Sequence, residues 1–553
     1  MKHIKILLTT FLILITGQAQ TMKTAFVNGK IYTVNEAQPF AQSIIVEGNK
    51  IIFVGSNDGA KKLLDTSTQI IDLNGKLMLP GFNDNHVHFI SGGFYLLGID
   101  LRPATSTTEF KNILKTYSEK FPAKWINGGY WDHEKWESKD LPTKEMIDEV
   151  VSDQPVFVDR LDGHMAVANS YALNLAGITK DTQSPEGGLI VKDPLTGDPT
   201  GVLKDNAMSL ITKLIPDPTP EENYTALLAS LEEAKRLGIT SVQDITYQAS
   251  LDAFQKAKNE GKLSCRIFTR WPIADCKNHV DNNIKIGFGD DIIKMGSLKA
   301  FADGSLGSST AWFFEKYNQD TTTFGLPMDI ITDGSLEKWS LDADKNHLQL
   351  SVHAIGDRAN SYMLDLYEKI INENPKWDRR FRIEHSQHVR SEDINRFAEL
   401  GVIASVQPYH CIDDGVWAEK RIGPERIKYT YPFKSFLDAG VKLCFGTDWY
   451  VAPLNPLLGI YAAVTRRTLD DKNPNGWIPE QKISVEEAIK CYTLNSAYAS
   501  FEENIKGSIE VGKLADLIIL SDDILSIDPV KIKDVKVELT VFDGKIIYQL
   551  IEN

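Results

Sequence analysis

Residues 24–34 (TAFVNGKIYTV), 43–55 (SIIVEGNKIIFVG) and 69–78 alternate apolar and polar side chains. A period of two suits strands with one face in a core and the other in water. Asn28-Gly29 and Glu47-Gly48-Asn49 interrupt the first two runs and predict hairpin turns, because Asn and Gly accept the positive φ such turns require. The far end of the chain has the same texture, with 515–520 (ADLIIL), then 535–541 and 545–548 around Asp543-Gly544. Each terminal half-sheet has an apolar face that the other can bury. Residues 20–80 and 501–553 are therefore expected to form one small composite β-sandwich.

Between the termini the rhythm changes. Ser241-Val242, 292–295, 348–352, Arg382-Ile383, 402–406 and 441–445 are short, β-branched apolar runs bounded by turn residues. Helical stretches separate them, for example 225–237 (TALLASLEEAKRL) stopped by Gly238. Repeated strand–helix units predict a parallel sheet. At this number of units a closed TIM-type (β/α)8 barrel over residues 81–500 is the economical α/β fold. Residues 107–217, rich in Trp, Gly and Pro, do not keep the rhythm and read as an insertion over the barrel mouth.

The first residues add an address. Met1-Lys2-His3-Ile4-Lys5 is basic, 6–15 is apolar apart from Thr9 and Thr10, and Thr16-Gly17-Gln18-Ala19-Gln20 is small and polar. The apolar run is shorter than the roughly 20 residues a span needs. Its layout is that of a secretory signal over residues 1–19, which predicts an exported protein, periplasmic or secreted. Cys265, Cys276, Cys411, Cys444 and Cys491 form no CxxC pair and read mainly as small buried hydrophobes. None lies near the cut, so no lipid anchor is expected. The 553 residues carry 60 Lys+Arg against 75 Asp+Glu, a formal charge of −15. That balance argues against nucleic acid, whose phosphates call for clustered cations.

The densest chemistry lies in Leu79-Pro80-Gly81-Phe82-Asn83-Asp84-Asn85-His86-Val87-His88. Residues i and i+2 of a strand share a face, so His86 and His88 can present two imidazoles to one metal. His353, His385 and Asp448 each sit just beyond a predicted strand. Strand C-termini of a parallel barrel converge on one mouth, where catalytic groups collect. The four imidazoles and the carboxylate form one expected constellation.

With these residues in place, the chain resembles the amidohydrolase superfamily, and within it the family 3 branch that includes N-substituted formamide deformylases. The resemblance runs from about residue 24 to the C-terminus. It rests on His86-Val87-His88, His353-Ala354-Ile355-Gly356-Asp357, Ile383-Glu384-His385-Ser386-Gln387, Ser405-Val406-Gln407-Pro408-Tyr409-His410 and Phe445-Gly446-Thr447-Asp448. Asp303-Gly304-Ser305-Leu306-Gly307-Ser308, the stretch from Trp131 to Trp136, Asp162-Gly163-His164 and Gly512-Lys513-Leu514-Ala515-Asp516-Leu517 add to it. It implies one or two divalent ions, usually zinc, with His86, His88 and Asp448 on one and His353 and His385 on a second. It further implies that Lys299, which alone would read as a solvated surface charge, is carboxylated to bridge them. In one place the chain departs from the pattern: Ser309-Thr310-Ala311 stands where Arg-Thr-Ala is usual. An expected cation is thus missing, for which Arg270 or Arg358 are the replacements considered.

These residues point to a metal-dependent hydrolase of a non-peptide C–N bond, an amide, N-acyl compound or cyclic amide, with Asp448 moving the proton. Ester or lactone hydrolysis, and a non-catalytic binding protein on the same scaffold, are the competing expectations. His164 and His410 are candidates for substrate contact or oxyanion donation. Trp131, Trp136 and Trp312 are candidates for an apolar pocket. The expected partner is a small amide or N-acyl substrate, without nucleic acid or a stable membrane anchor, and the pattern leaves room for a homodimer.

Overall fold

The short apolar runs of the central chain become eight parallel strands of one sheet: β1 (Phe82–Val87), β2 (Ile239–Ile245), β3 (Arg266–Pro272), β4 (Ile293–Phe301), β5 (Gln349–Ala354), β6 (Arg382–His385), β7 (Ile403–Val406) and β8 (Leu443–Phe445). This is a computed structural model; it describes residues 23–551 except 123, 134–135, 139, 161–164 and 186–187. The predicted leader and His164 lie outside the described residues. The strands follow each other in chain order around the sheet. The first and last meet where Asp448 N donates to His86 O at 2.7 Å and His88 N to Trp449 O at 2.8 Å. The barrel therefore closes at the end that carries the candidate ligands.

Outward-facing residues such as Val242, Ile267, Leu298, Leu350, Ile383 and Leu443 pack with the surrounding helices into the main core. The helix Pro220–Arg236 starts on a capping box of Thr219 and Glu222, with Pro220 in its first turn. Both devices satisfy or spare orphan N–H groups. It ends one residue before Leu237, and Gly238 then adopts φ 75°, a turn that L side chains resist. Inside the barrel the lining is polar. Asn85, Gln243, Arg270, Ser351, Arg382, Glu384 and Ser405 are all buried, and such groups persist only when bonded to one another.

The termini make two further sheets. One orders Lys50–Gly55, Ser43–Glu47, Lys23–Val27 and Gln69–Asp72. The other orders Lys545–Gln549, Val537–Phe542, Leu517–Leu520, Leu77–Pro80, Lys30–Tyr32 and Phe40–Ala41. Phe26, Ile44 and Val46 of the first share a core with Met78, Leu517, Ile519 and Val541 of the second. Glu47-Gly48-Asn49 and Asp543-Gly544 are hairpin turns as expected. Asn28-Gly29 is not: the chain there leaves one sheet for the other, with Asn28 at φ 56°. The same residues that favour a hairpin also favour a crossover, and only the partner sheet decides. Arg266, buried at the start of β3, pairs with Asp516 at 2.7 Å and Asp543 at 2.9 Å, fastening the sandwich to the barrel.

Between β1 and the helix Pro220–Arg236 stands a six-stranded sheet, ordered Gly188–Lys192, Pro199–Asp205, Met165–Ala168, Val156–Arg160, Ile126–Trp131 and Ile99–Asp100. Its pairing starts at Ile99, ahead of the expected Thr107, because Ile99 aligns with Gly128 in a strand of only two residues. It has its own core of Phe110, Leu114, Trp131, Trp136, Val156 and Val167. All five cysteines are buried and unpaired.

Candidate metal centre

Two triads of ligand atoms meet at the C-terminal mouth. His86, His88 and Asp448 hold their ligating atoms within 4.8 Å of one another, and so do His385, His410 and Asp448. Asp448 is common to both. Its Oδ1 is 3.5 Å from His86 Nε2 and 3.4 Å from His88 Nε2. His353, expected to pair with His385, meets its ring edge-on with centroids 4.4 Å apart. Its Nε2 lies 3.1 Å from Gly304 O and 3.5 Å from Asp303 Oδ1. His410, expected as a substrate contact or oxyanion donor, also has its ligating atom grouped with those of His385 and Asp448.

Local backbone strain aims these groups. Strand alternation would send Glu384 and His385 to opposite faces of β6. His385 has φ 72° and Ser386 φ 42°, and this left-handed turn brings both adjacent side chains to the centre. Asp448 also has φ 57°. Such residues cost of order 1–3 kcal/mol each and persist where surrounding contacts hold them. Here the contacts include Asp84, which accepts from Thr447 N at 3.0 Å, from His86 N at 3.1 Å, and from Thr447 Oγ1. Gly446 lets β8 approach: a Cβ there would lie 2.5 Å from His86 N and 2.7 Å from Asn85 Oδ1. Gly446→Ala is expected to push Asp448 away from His86 and lower kcat/KM about 100-fold, the cost of a misplacement near 1 Å, in steady-state assays.

Burial pushes the His86 imidazole down to about 3, with the Lys299 ammonium adding to the effect, so it is neutral at physiological pH. Its Nδ1 stands 2.5 Å from Glu384 Oε2, an acceptor, and must therefore carry the hydrogen, which leaves the Nε2 lone pair facing Asp448. Glu384 is wholly buried, with Arg270 at 2.8 Å and Arg382 at 3.0 Å, and it accepts from Ser405 Oγ at 2.6 Å. Burial alone would raise this carboxyl, yet the two guanidinium groups hold it well below the usual range. A carboxylate behind a ligating imidazole fixes its tautomer and raises its basicity. Sequence patterning gives Glu384 and Arg382 no role and considers Arg270 only as a replacement cation beside Ser309, although charged residues in short apolar strands are a usable signal.

Lys299 is buried on β4 rather than solvated. Burial, then the nearby Arg270 charge, lowers its amine to about 7. Its Nζ, His385 Nδ1 and His410 Nε2 are buried without a hydrogen-bond partner among the described residues. Buried unsatisfied polar groups cost about 1–3 kcal/mol each, and the two orphaned imidazole nitrogens are of ligating type and fit a cation-binding site. Burial also works against ionisation of Asp448, but the imidazoles of His86 and His88 hold it well below the ordinary carboxyl range, an acceptor-only carboxylate.

Other expectations are redirected. Trp131 is fully buried in the insertion, its Nε1 donating to Val158 O at 2.8 Å, and Trp136 donates to Ala104 O at 3.2 Å. Both hold the inserted sheet together instead of lining a pocket. Trp312 packs on Tyr362 and under Arg358. Arg270 is committed to Glu384 and Arg358 to Trp312. The guanidinium beside Ser309 comes from Arg421, on the helix Ala418–Arg426, whose Nη1 donates to Ser309 Oγ at 2.6 Å.

Residues 69–548 match the amidohydrolase family model. The chain is 37% identical over 508 residues to Protein LONG AFTER FAR-RED 3 of Arabidopsis thaliana, covering 89% of this chain and 86% of that protein. It is 25% identical over 545 residues to the N-substituted formamide deformylase of Arthrobacter pascens, covering 95% and 98%. Among solved structures, an uncharacterized metal-dependent hydrolase from Pyrococcus horikoshii OT3 superposes with a TM-score of 0.78 at 30% identity, over 92% of this chain and 99% of that one.

Proposed function

From the premise that the chain belongs to the amidohydrolase family and is a metal-dependent hydrolase, we propose that it cleaves a non-peptide C–N bond, in an amide, N-acyl compound or cyclic amide. The observation that carries this reading is Asp448, one carboxylate shared by two ligand triads at the barrel mouth. His86, His88 and Asp448 would hold one divalent ion, His385 and His410 with Asp448 a second, and His353 stands beside them; zinc is the proposed metal. Such an ion lowers the pKa of water towards about 7 and polarises a carbonyl oxygen. Amide cleavage then needs a proton moved from the attacking water to the departing nitrogen, since an amide anion is a poor leaving group. Asp448 is ionised at neutral pH and so is ready to accept that proton and pass it on. The water oxygen bonds to the carbonyl carbon, the C–N bond breaks, and the products are a carboxylate and an amine. The similarity to an N-substituted formamide deformylase supports this bond class over esters.

Lys299 is proposed to be carboxylated: its amine bonds to CO₂, releases a proton and becomes an anionic oxygen ligand. Protein supplied with ¹³C-bicarbonate and zinc is expected to show a carbamate carbon signal that disappears in Lys299→Met, together with at least about a 100-fold loss of kcat/KM. An unchanged spectrum would remove the carbamate. The basic and apolar start of the chain supports export. No helix among the described residues is long and apolar enough to cross a membrane.

The test of function is a hydrolysis screen with zinc and bicarbonate over N-formyl amines, N-acyl amino acids, cyclic amides and carboxyl esters. Turnover of amides above esters is expected. Turnover confined to esters would replace the reading, and turnover of nothing would sink it.

A further inference from the structure

A cavity of about 660 Å³ opens beside the metal centre at the C-terminal ends of β2, β3 and β4. Its walls include Tyr247, Phe301, Leu326, Met328, Ile330 and Trp339. Lys299 and Gly304 also line it and border the candidate ligands: the Lys299 amine acts on the His86 and His385 imidazoles, and the Gly304 carbonyl lies 3.1 Å from His353 Nε2. Phe301 joins the two regions. Its ring lies 4.4 Å from Lys299 Nζ and 5.2 Å from the His353 ring, and it forms part of the cavity wall.

Four of the wall residues are left open to solvent, Tyr247 at 55%, Phe301 at 37%, Leu326 at 61% and Met328 at 41%. Scattered exposed hydrophobes are ordinary, but four around one opening mark a surface that something apolar covers. Among the described residues, the only charged ones lining it are Lys299 and Asp329. Lys299 points to the ligand cluster, so the rest of the cavity offers no cation to an anionic group. Its size lies within the range of small-molecule sites, and its composition, apolar walls with polar groups at one end, matches them.

We propose that this cavity is the subsite for an uncharged hydrocarbon group, alkyl or aryl, attached to the scissile amide. The carbonyl lies at the Asp448 and histidine cluster while the hydrocarbon group runs past Phe301 towards Met328 and Ile330. The proposal rests on the C–N hydrolase reading for its substrate, but the cavity makes its own prediction about chain length. Burying one methylene favours binding enough to raise kcat/KM about fourfold, until the cavity is filled.

The test is a homologous series of N-formyl-n-alkylamines, from methyl to octyl, assayed with the zinc-loaded protein, Met328→Asp and Ile330→Asp. In the natural protein kcat/KM is expected to climb about fourfold per methylene over the first several members. In either variant the octyl-to-methyl ratio is expected to fall at least 100-fold, and because the readout is a ratio, a general loss of active protein cancels. Met328 lies on an exposed segment, so its variant folds even if Ile330→Asp does not. Calorimetric binding of n-alkylureas, measured in parallel, separates the two ideas. Alkylurea affinity that grows with chain length and is lost in Met328→Asp supports the subsite, even if no formamide is hydrolysed and the reaction reading fails. Formamide turnover that is flat or falls with chain length, with alkylurea affinity equally flat, overturns the subsite while the reaction reading stands.

Discussion

His86→Ala is expected to abolish turnover, lowering kcat/KM by about three orders of magnitude or more, and to strip metal from the protein. The neutral imidazole is 1% exposed, pinned by Glu384 on one nitrogen and turned to Asp448 with the other. Removing it deletes a ligand and leaves both carboxylates facing a void. The size of the effect follows from what the site supplies, a water acidified by many pKa units and a stabilised oxyanion, each worth orders of magnitude. His88→Ala serves as the companion. Its side chain is 26% exposed at the rim, so its loss costs little packing, yet it is 3.4 Å from the same Asp448 oxygen. Both variants are expected to lose metal by mass spectrometric analysis, while only His86→Ala also loses thermal stability. Full activity with full metal in His88→Ala would remove His88 from the ligand set.

The candidate metal centre is legible in the sequence to the extent that its residues terminate strands. His86 with His88, and His353, His385 and Asp448 after their apolar runs, could be placed on one mouth because parallel strands of a barrel all point one way. The sandwich was legible for a similar reason, since two half-patterned ends have no other apolar face to cover. The residues missed lie one layer deeper. Glu384, Arg270 and Arg382 interrupt short strands, and strand patterning assigns a charged residue to the solvent face. A barrel interior is the exception, where inward positions belong to neither solvent nor an apolar core. Pattern alone likewise reads Lys299 as a surface charge, and only the family resemblance brings it to the site, where it is buried. For His410, only the three-dimensional approach to His385 and Asp448 adds a candidate ligand role. Trp131 and Trp136 fill the core of a six-stranded sheet built from strands as short as two residues, which the pattern of the insertion does not reveal.

Glu384→Ala is expected to be the most damaging change that touches no ligand atom. The carboxylate accepts from His86 and Ser405 and compensates two buried guanidinium groups at once. Arg270 and Arg382 are each fully buried, and both also reach Asn85 O, on the strand that carries His86. Without Glu384 two like charges face each other in a low-dielectric interior, and breaking a buried pair by removing one partner costs about 3–5 kcal/mol. The same change frees His86 to adopt the wrong tautomer, for a loss of about 10–100-fold in metal affinity. Urea denaturation of the apo-protein reads the first effect and metal titration the second. Glu384→Gln separates them further: it fills the space and can accept from His86 Nδ1, but leaves the arginines without an anion. It is expected to keep most of the metal affinity and to lose nearly as much stability as alanine. If Glu384→Gln is instead as stable as the natural protein, the arginines are compensated elsewhere, and Glu384 serves the histidine alone.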